Sequence, residues 1–280
     1  MTVIVAVRTG AAAVLAADSK LTTQAWAGNN ADGTPRFLPQ TYDKAVKIVR
    51  DFSNTSIAAF AGHGNIGEQT VTDYFSRIAA DLHTDVANQD QRVNLIAAQM
   101  AQARVDFANR LGFAPDQTPD TIGILVAPPA GAVAPRLWRI QLHAAESSVA
   151  EILANPGVWF EGSAGSVMSL LYARSAPFAE GLRQALGVDE PAFTAAMNLQ
   201  AQHLPILQIN FWTMPLQEAM DFALFCCVVQ IQMDRFLPGL AACGGPVDLM
   251  TLEMAPAPRL TAFPGKRLHH PVVISDLGAA

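Results

Sequence analysis

Apolar residues open the chain without interruption. Residues 2–7 (TVIVAV) are largely β-branched, Arg8-Thr9-Gly10 breaks the run, and residues 11–17 (AAAVLAA) resume it. Two such runs about a short turn predict a hairpin of strands buried on both faces. Residues 44–49 and 56–61 predict a second strand pair joined by a turn at 51–55, while 26–40, rich in Asn, Gly and Pro, predicts a loop. The period then changes. Val71, Tyr74, Phe75, Ile78 and Leu82 within 68–82, and Leu95, Ile96 and Met100 within 91–111, recur at helical spacing. Strands are expected at 121–127 and 136–142 around a Pro-Pro-Ala-Gly turn, helices at 166–186 and 215–236, and a strand at 247–254. A Pro-rich tail closes the chain with one short strand candidate, 272–274. Strands buried on both faces need helices on both sides, so the order predicts sheets flanked by helical layers.

Composition sharpens this. Of 280 residues, 51% are hydrophobic and only 15% charged, against a usual share of roughly 25%. The net charge of −6 argues against a nucleic-acid footprint, which needs clustered Lys and Arg. Adjacent Cys226 and Cys227, with Cys243, set no disulfide framework. Arg8 interrupts the first apolar run, which argues against a signal peptide, and the most apolar stretch, 222–229, is far shorter than a bilayer span. No membrane association and a cytoplasmic location are expected. The missing charge is concentrated: residues 191–247 hold only Glu218, Asp221, Asp234 and Arg235. So uncharged a stretch is expected to be buried, within the helical layer or between subunits.

Several motifs point to chemistry and fail on context. Gly62-His63-Gly64-Asn65-Ile66-Gly67 fits the dinucleotide fingerprint, but a second helical pattern follows where a parallel strand with a ribose-binding acid is required. A tight glycine turn is the better reading. Gly162-Ser163-Ala164-Gly165 lacks the glycine two before the serine that a nucleophile elbow needs. The six histidines form no zinc spacing, and His269-His270 sits in the Pro-rich tail. No metal and no cofactor are expected.

The amino terminus is a further candidate. Thr2 is small enough for Met1 to be clipped, leaving a hydroxyl nucleophile and an α-amine base on one residue. Its surroundings strengthen the reading. Residues 2–7, the turn at Gly10, Val14 to Asp18-Ser19-Lys20, Asp43-Lys44 and Ala61-Gly62-His63-Gly64-Asn65 resemble the opening of a proteasome β-subunit or its bacterial relative HslV. The resemblance is specific over about the first 70 residues. It implies the N-terminal nucleophile hydrolase fold, an α+β four-layer αββα sandwich of two antiparallel sheets. Residues 1–255 would form that domain, with a helical insertion at about 187–214 and residues 256–280 as a C-terminal extension.

Carried over residue by residue, Thr2 matches the nucleophile, Lys44 the cation beside it and Asp18 the acid that fixes that lysine. The N–H of Gly62 would face the developing oxyanion, and Ser163 with Asp234 would orient the threonine amine. Phe60, His63 and Gly64 would line the pocket for the substrate residue before the scissile bond. The implied activity is threonine-type peptide hydrolysis of unfolded polypeptides inside a homo-oligomeric ring, with room for an ATPase unfoldase as partner. Two other readings stand beside it: a catalytically inactive ring scaffold, and an amidase of small amides on the same fold. The departures from the family are a lengthened stretch between Asp18 and Lys44, Cys243 in place of a serine before Gly244-Gly245, and the long segment between Ser163 and Asp234.

Overall fold

The computed structural model describes residues 2–29, 32, 35–51, 54–66, 69–82, 88–111, 120–128, 133–172, 176–203, 209–237 and 241–263. Eight strands come first: β1 (Val3–Arg8), β2 (Ala12–Asp18), β3 (Leu21–Asn29), β4 (Pro35–Tyr42), β5 (Ile48–Arg50), β6 (Ile57–Gly62), β7 (Asn65–Ile66) and β8 (Gln69–Thr70). Helices α1 (Val71–Asp81) and α2 (Gln89–Leu111) follow, then β9 (Thr121–Ala127), β10 (Arg136–His143), β11 (Glu146–Ile152) and β12 (Gly157–Gly162). Helices α3 (Gly165–Tyr172), α4 (Ala176–Leu186), α5 (Glu190–His203) and α6 (Leu216–Asp234) precede the last strands, β13 (Val247–Glu253) and β14 (Arg259–Phe263).

These strands make two five-stranded sheets, ordered β12-β1-β2-β13-β14 and β11-β10-β9-β6-β5, with antiparallel pairing in both. The first hairpin lies at the centre of the first sheet, Ala6 opposite Leu15. Its residues alternate between two cores, as strand geometry requires. Ile4, Ala6, Leu15 and Ala17 pack with Ile57, Ala59, Ile124 and Val126 of the second sheet. Val3, Val5, Val7, Val14 and Ala16 pack instead with Val167 of α3 and Ala219, Ala223, Cys226 and Cys227 of α6. A third core joins the far face of the second sheet (Phe60, Leu125, Trp138, Ile140) to Phe75 of α1 and Ile96 and Met100 of α2. The uninterrupted apolar runs are thus strands with helices on one face and another sheet on the other.

A buried ion pair fixes the β5–β6 strand pair. Arg92 of α2 donates to Asp51 at 2.9 Å, and Asp51 also accepts from Thr55 and Ser56, closing the turn between β5 and β6.

Four features differ from the sequence expectation. Residues 26–40, expected as a loop, lie largely in the β3–β4 ribbon, where Pro35 and Pro39 are tolerated because a two-stranded ribbon leaves edge positions free of ladder bonds. The helix expected at 166–186 is two helices, α3 and α4, the second with Pro177 in its first turn. The strands β11 and β12 had no clear pattern, since most of β11 faces solvent. The tail beyond 255 begins as β14, an edge strand paired with β13. The strand expected at 272–274 lies outside the described residues. Helix α6 buries Ala219, Ala223, Cys226, Cys227, Gln230 and Asp234 on one side, yet leaves Phe225 and Met233 about half exposed on the other. Among the described residues no helix is long and apolar enough to cross a membrane.

Candidate active site at the start of the chain

Strand β2 ends in Asp18, a carboxylate 1% exposed and saturated with donors. Its Oδ1 accepts from the backbone N of Val3 at 3.0 Å and from Nζ of Lys47 at 2.9 Å. Its Oδ2 accepts from the N–H groups of Lys20 at 3.2 Å and Gly244 at 3.0 Å. Lys47, immediately before β5, is itself buried at 6%. Such a pair survives burial because the charges neutralise each other and the remaining lone pairs are filled.

The lysine is a correction. Lys44, the expected cation, is exposed and lines a shallow surface depression with Leu21, Thr41 and Tyr42. Residues three apart on extended chain point to opposite sides, so placing Lys47 inward beside Asp18 turns Lys44 to solvent. Both lie in one charged stretch before an apolar run, and the sequence pattern does not say which faces in.

Thr2, 5% exposed, is tied down on both sides. Its carbonyl accepts from Ser163 N at 2.7 Å, and the N–H of the next residue is the one held by Asp18. Gly162 makes this approach feasible: it lies opposite Val3, has φ +76°, and a Cβ there would sit 2.0 Å from the Thr2 oxygen. Sequence reasoning missed it as a site residue, although its place before Ser163 was visible.

A cavity of about 300 Å³ opens beside Thr2, lined also by Lys47, Phe60, Gly62, His63 and Gly64. Gly62 ends β6 at φ +90°, where a Cβ would sit 2.2 Å from the Asp120 carbonyl. The chain then turns through the β7–β8 hairpin into α1, whose first N–H donates to the Gly64 carbonyl at 2.9 Å. The glycine motif is therefore a tight turn, and its strand pairs antiparallel with β9. Half-buried His63 is held below its ordinary pKa by desolvation first and by the Arg104 guanidinium second, which keeps it neutral near pH 7.

Asp234 is buried but elsewhere engaged. Its Oδ1 accepts from Gln230 Nε2 at 2.6 Å and its Oδ2 from Cys243 N at 2.9 Å. Gln230 in turn accepts from Ser166 N and Val167 N, capping the start of α3. The Cys243 thiol lies 3.8 Å from the Ser163 carbonyl. Asp234 thus reaches Ser163 indirectly, through Cys243. Gln230 had no sequence signal beyond its i, i+4 relation to Asp234.

The structure therefore brings Thr2, Phe60, Gly62, His63 and Gly64 to one cavity, adds Lys47 with Asp18 behind it, and leaves Lys44 outside. Among the described residues no group of three or more His, Cys, Asp or Glu could hold a metal ion. The assembly can hold a nucleophile, a cation and a backbone donor about one small volume.

No protein-family model and no curated protein matches this chain. Solved structures do. Over 99% of its length the chain is similar to Anbu (ancestral beta-subunit) from Yersinia bercovieri, at 14% identity and TM-score 0.47, covering 92% of that chain. It is also similar to the Anbu complex from Pseudomonas aeruginosa, a helical assembly, at 13% identity, TM-score 0.47 and 92% of that chain. Anbu from Hyphomicrobium sp. strain MC1 matches at 14% identity, TM-score 0.43 and 97% of that chain. The resemblance to a proteasome β-subunit or HslV is corrected by this finding: the solved structures named here to which the chain is similar are Anbu (ancestral beta-subunit) proteins.

Proposed function

We propose that the chain is an N-terminal threonine hydrolase that cleaves peptide bonds, with Thr2 as nucleophile once Met1 is removed. The observation that carries this reading is the buried Lys47–Asp18 pair opening on the cavity lined by Thr2 and Gly62. While Met1 is attached, the Thr2 nitrogen is an amide and accepts no proton. Its removal frees an α-amine of ordinary pKa about 7.7–8.0, suited to proton transfer near neutrality. The hydroxyl attacks the scissile carbonyl and its proton passes to the amine. The Lys47 ammonium stabilises negative charge on the threonine oxygen, and the N–H of Gly62 meets the oxyanion. Collapse expels the amine fragment, which takes the proton and leaves an ester on Thr2. Water activated by the same amine then hydrolyses that ester. Asp18 touches no substrate in this scheme; it is a positioning residue that holds Lys47 and the Val3 N–H.

The same proposal includes the four-layer αββα arrangement for residues 1–255, with the 187–214 segment inserted and 256–280 as an extension that starts on a sheet edge. It also includes self-assembly into a ring that admits unfolded polypeptide. What supports assembly is the solvent side of α6 and the turn after it, where Phe225, Met233, Phe236 and Leu237 are exposed with little charge nearby. The test is hydrolysis of fluorogenic peptides and small amides by the processed chain and by Thr2→Ala. Peptide turnover lost in the variant is expected; turnover that survives Thr2→Ala overturns the reading, and turnover confined to small amides replaces peptidase by amidase.

A further inference from the structure

Phe60, one wall of the cavity beside Thr2, packs against a strand that contributes no lining residue of its own. Gly123 of β9 is directly opposite Phe60 of β6. The Phe60 ring lies across it: a Cβ at Gly123 would come within 2.5 Å of Phe60 Cε1 and 2.7 Å of Cδ1. Beyond the ring is Phe75, its centroid 5.5 Å away, fully buried in the core shared with Leu125, Trp138 and Ile140. Phe60 also lines the cavity beside Thr2, whose other walls include the apolar Leu21, Ala45, Val46 and Val71.

We infer that Gly123 determines which substrate side chain the site accepts: by letting Phe60 lie back against the sheet, it leaves room beside Thr2 for a bulky apolar group on the acyl side of the cleaved bond. This rests on the peptidase reading above. Gly123 has ordinary strand backbone, so alanine there is compatible with the chain and acts through the ring alone. A close-packed core does not yield on the Phe75 side, and on its other side Phe60 borders the cavity. A methyl group at 123 therefore pushes Phe60 toward Thr2 and narrows the site. Gly123 is a positioning residue, acting through Phe60.

The test uses the processed full chain and peptides differing only in the residue before the cleaved bond: Ala, Val, Leu or Phe. Gly123→Ala is expected to lower kcat/KM for Leu and Phe by about tenfold or more relative to Ala, the scale of a lost apolar fit. Adding Phe60→Leu to Gly123→Ala is expected to restore the bulky substrates. An equal loss across the series, or no rescue, overturns the inference. Crystal structures of the wild type and Gly123→Ala supply a readout independent of turnover: Phe60 displaced toward Thr2 is expected, and an unmoved ring overturns the seating role. A wild-type chain that cleaves none of the peptides overturns the specificity claim together with the peptidase reading, while the crystal structures still decide what Gly123 does to the ring.

Discussion

Two buried aspartates, Asp18 at the end of β2 and Asp234 at the end of α6, are joined through consecutive residues, and they are built for different work. Asp18 faces a cation: Lys47 and three backbone N–H groups fill its oxygens, and the lysine borders the cavity. Asp234 binds neutral donors, the Gln230 amide and the Cys243 N–H. The two are linked through consecutive residues, since Cys243 N donates to Asp234 and Gly244 N to Asp18. An acid spent on amides holds strands and helix ends in place. One that holds an ammonium beside an open volume positions a charge for chemistry. In the proposed mechanism Asp18 therefore serves the reaction and Asp234 the framework, although both match the resemblance.

The largest effect that would break this distinction is at Lys47. Lys47→Met is expected to lower kcat by roughly 10²–10³-fold, the usual scale for one electrostatic donor. Leaving Asp18 unpaired in the interior is expected to cost about 3–5 kcal/mol, so a denaturant melt must accompany the kinetics. Lys47→Arg, which keeps the charge, separates the two losses. Lys44→Ala is the matched control; being exposed, it is expected to alter peptide turnover by less than about twofold and stability by less than about 0.5 kcal/mol.

Asp234→Asn should show the reverse balance. It weakens the tie to Cys243 and Gln230 and is expected to cost about 1–3 kcal/mol in a thermal or denaturant melt, with kcat/KM reduced much less than in Lys47→Met. A catalytic collapse without loss of stability would return Asp234 to the reaction.

A smaller effect belongs to His63. Its folded pKa lies below the value near 6.5 of an unfolded chain. Between those two values the unfolded state binds more protons, so stability rises with pH there. The contribution is complete above about 6.5, declines as pH falls through that value, and levels off below the folded pKa. His63→Gln should flatten this part of a stability–pH curve, and an unchanged slope would place the titration elsewhere.

The smallest expected effect is at the thiols. Burial pushes Cys226 up to about 12 and drives Cys227 and Cys243 upward as well. Brief treatment of the native protein with iodoacetamide at pH 8 is expected to leave mass and turnover unchanged. Inactivation by alkylation of Cys243 would replace the threonine with a cysteine mechanism.

Much of the architecture was legible because β1, β2, β6 and β9 are buried on both faces, so their apolar runs need no partner to be recognised. Strand β11 was obscure for the opposite reason: Glu146, Ser147, Ser148, Ala150 and Glu151 face solvent. Within the site, Asp18 and Gly62 were implied by the resemblance, whose matching residues Asp18-Ser19-Lys20 and Ala61-Gly62-His63-Gly64-Asn65 stand at a strand end and a glycine turn. Lys47 could not be told from Lys44, since the choice depends on which way three residues of extended chain are rotated. Gly123 lay inside an apolar run, where only the ring across the strand gives it meaning.

The most direct test of the central claim is the mass of the purified wild-type chain, intact and after peptide mapping, following exposure to a threonine-directed electrophile. Loss of Met1 with a single adduct on Thr2, absent in Thr2→Ala and slowed in Lys47→Met but not in Lys44→Ala, is the predicted result. A chain that retains Met1 and carries no adduct would contradict it.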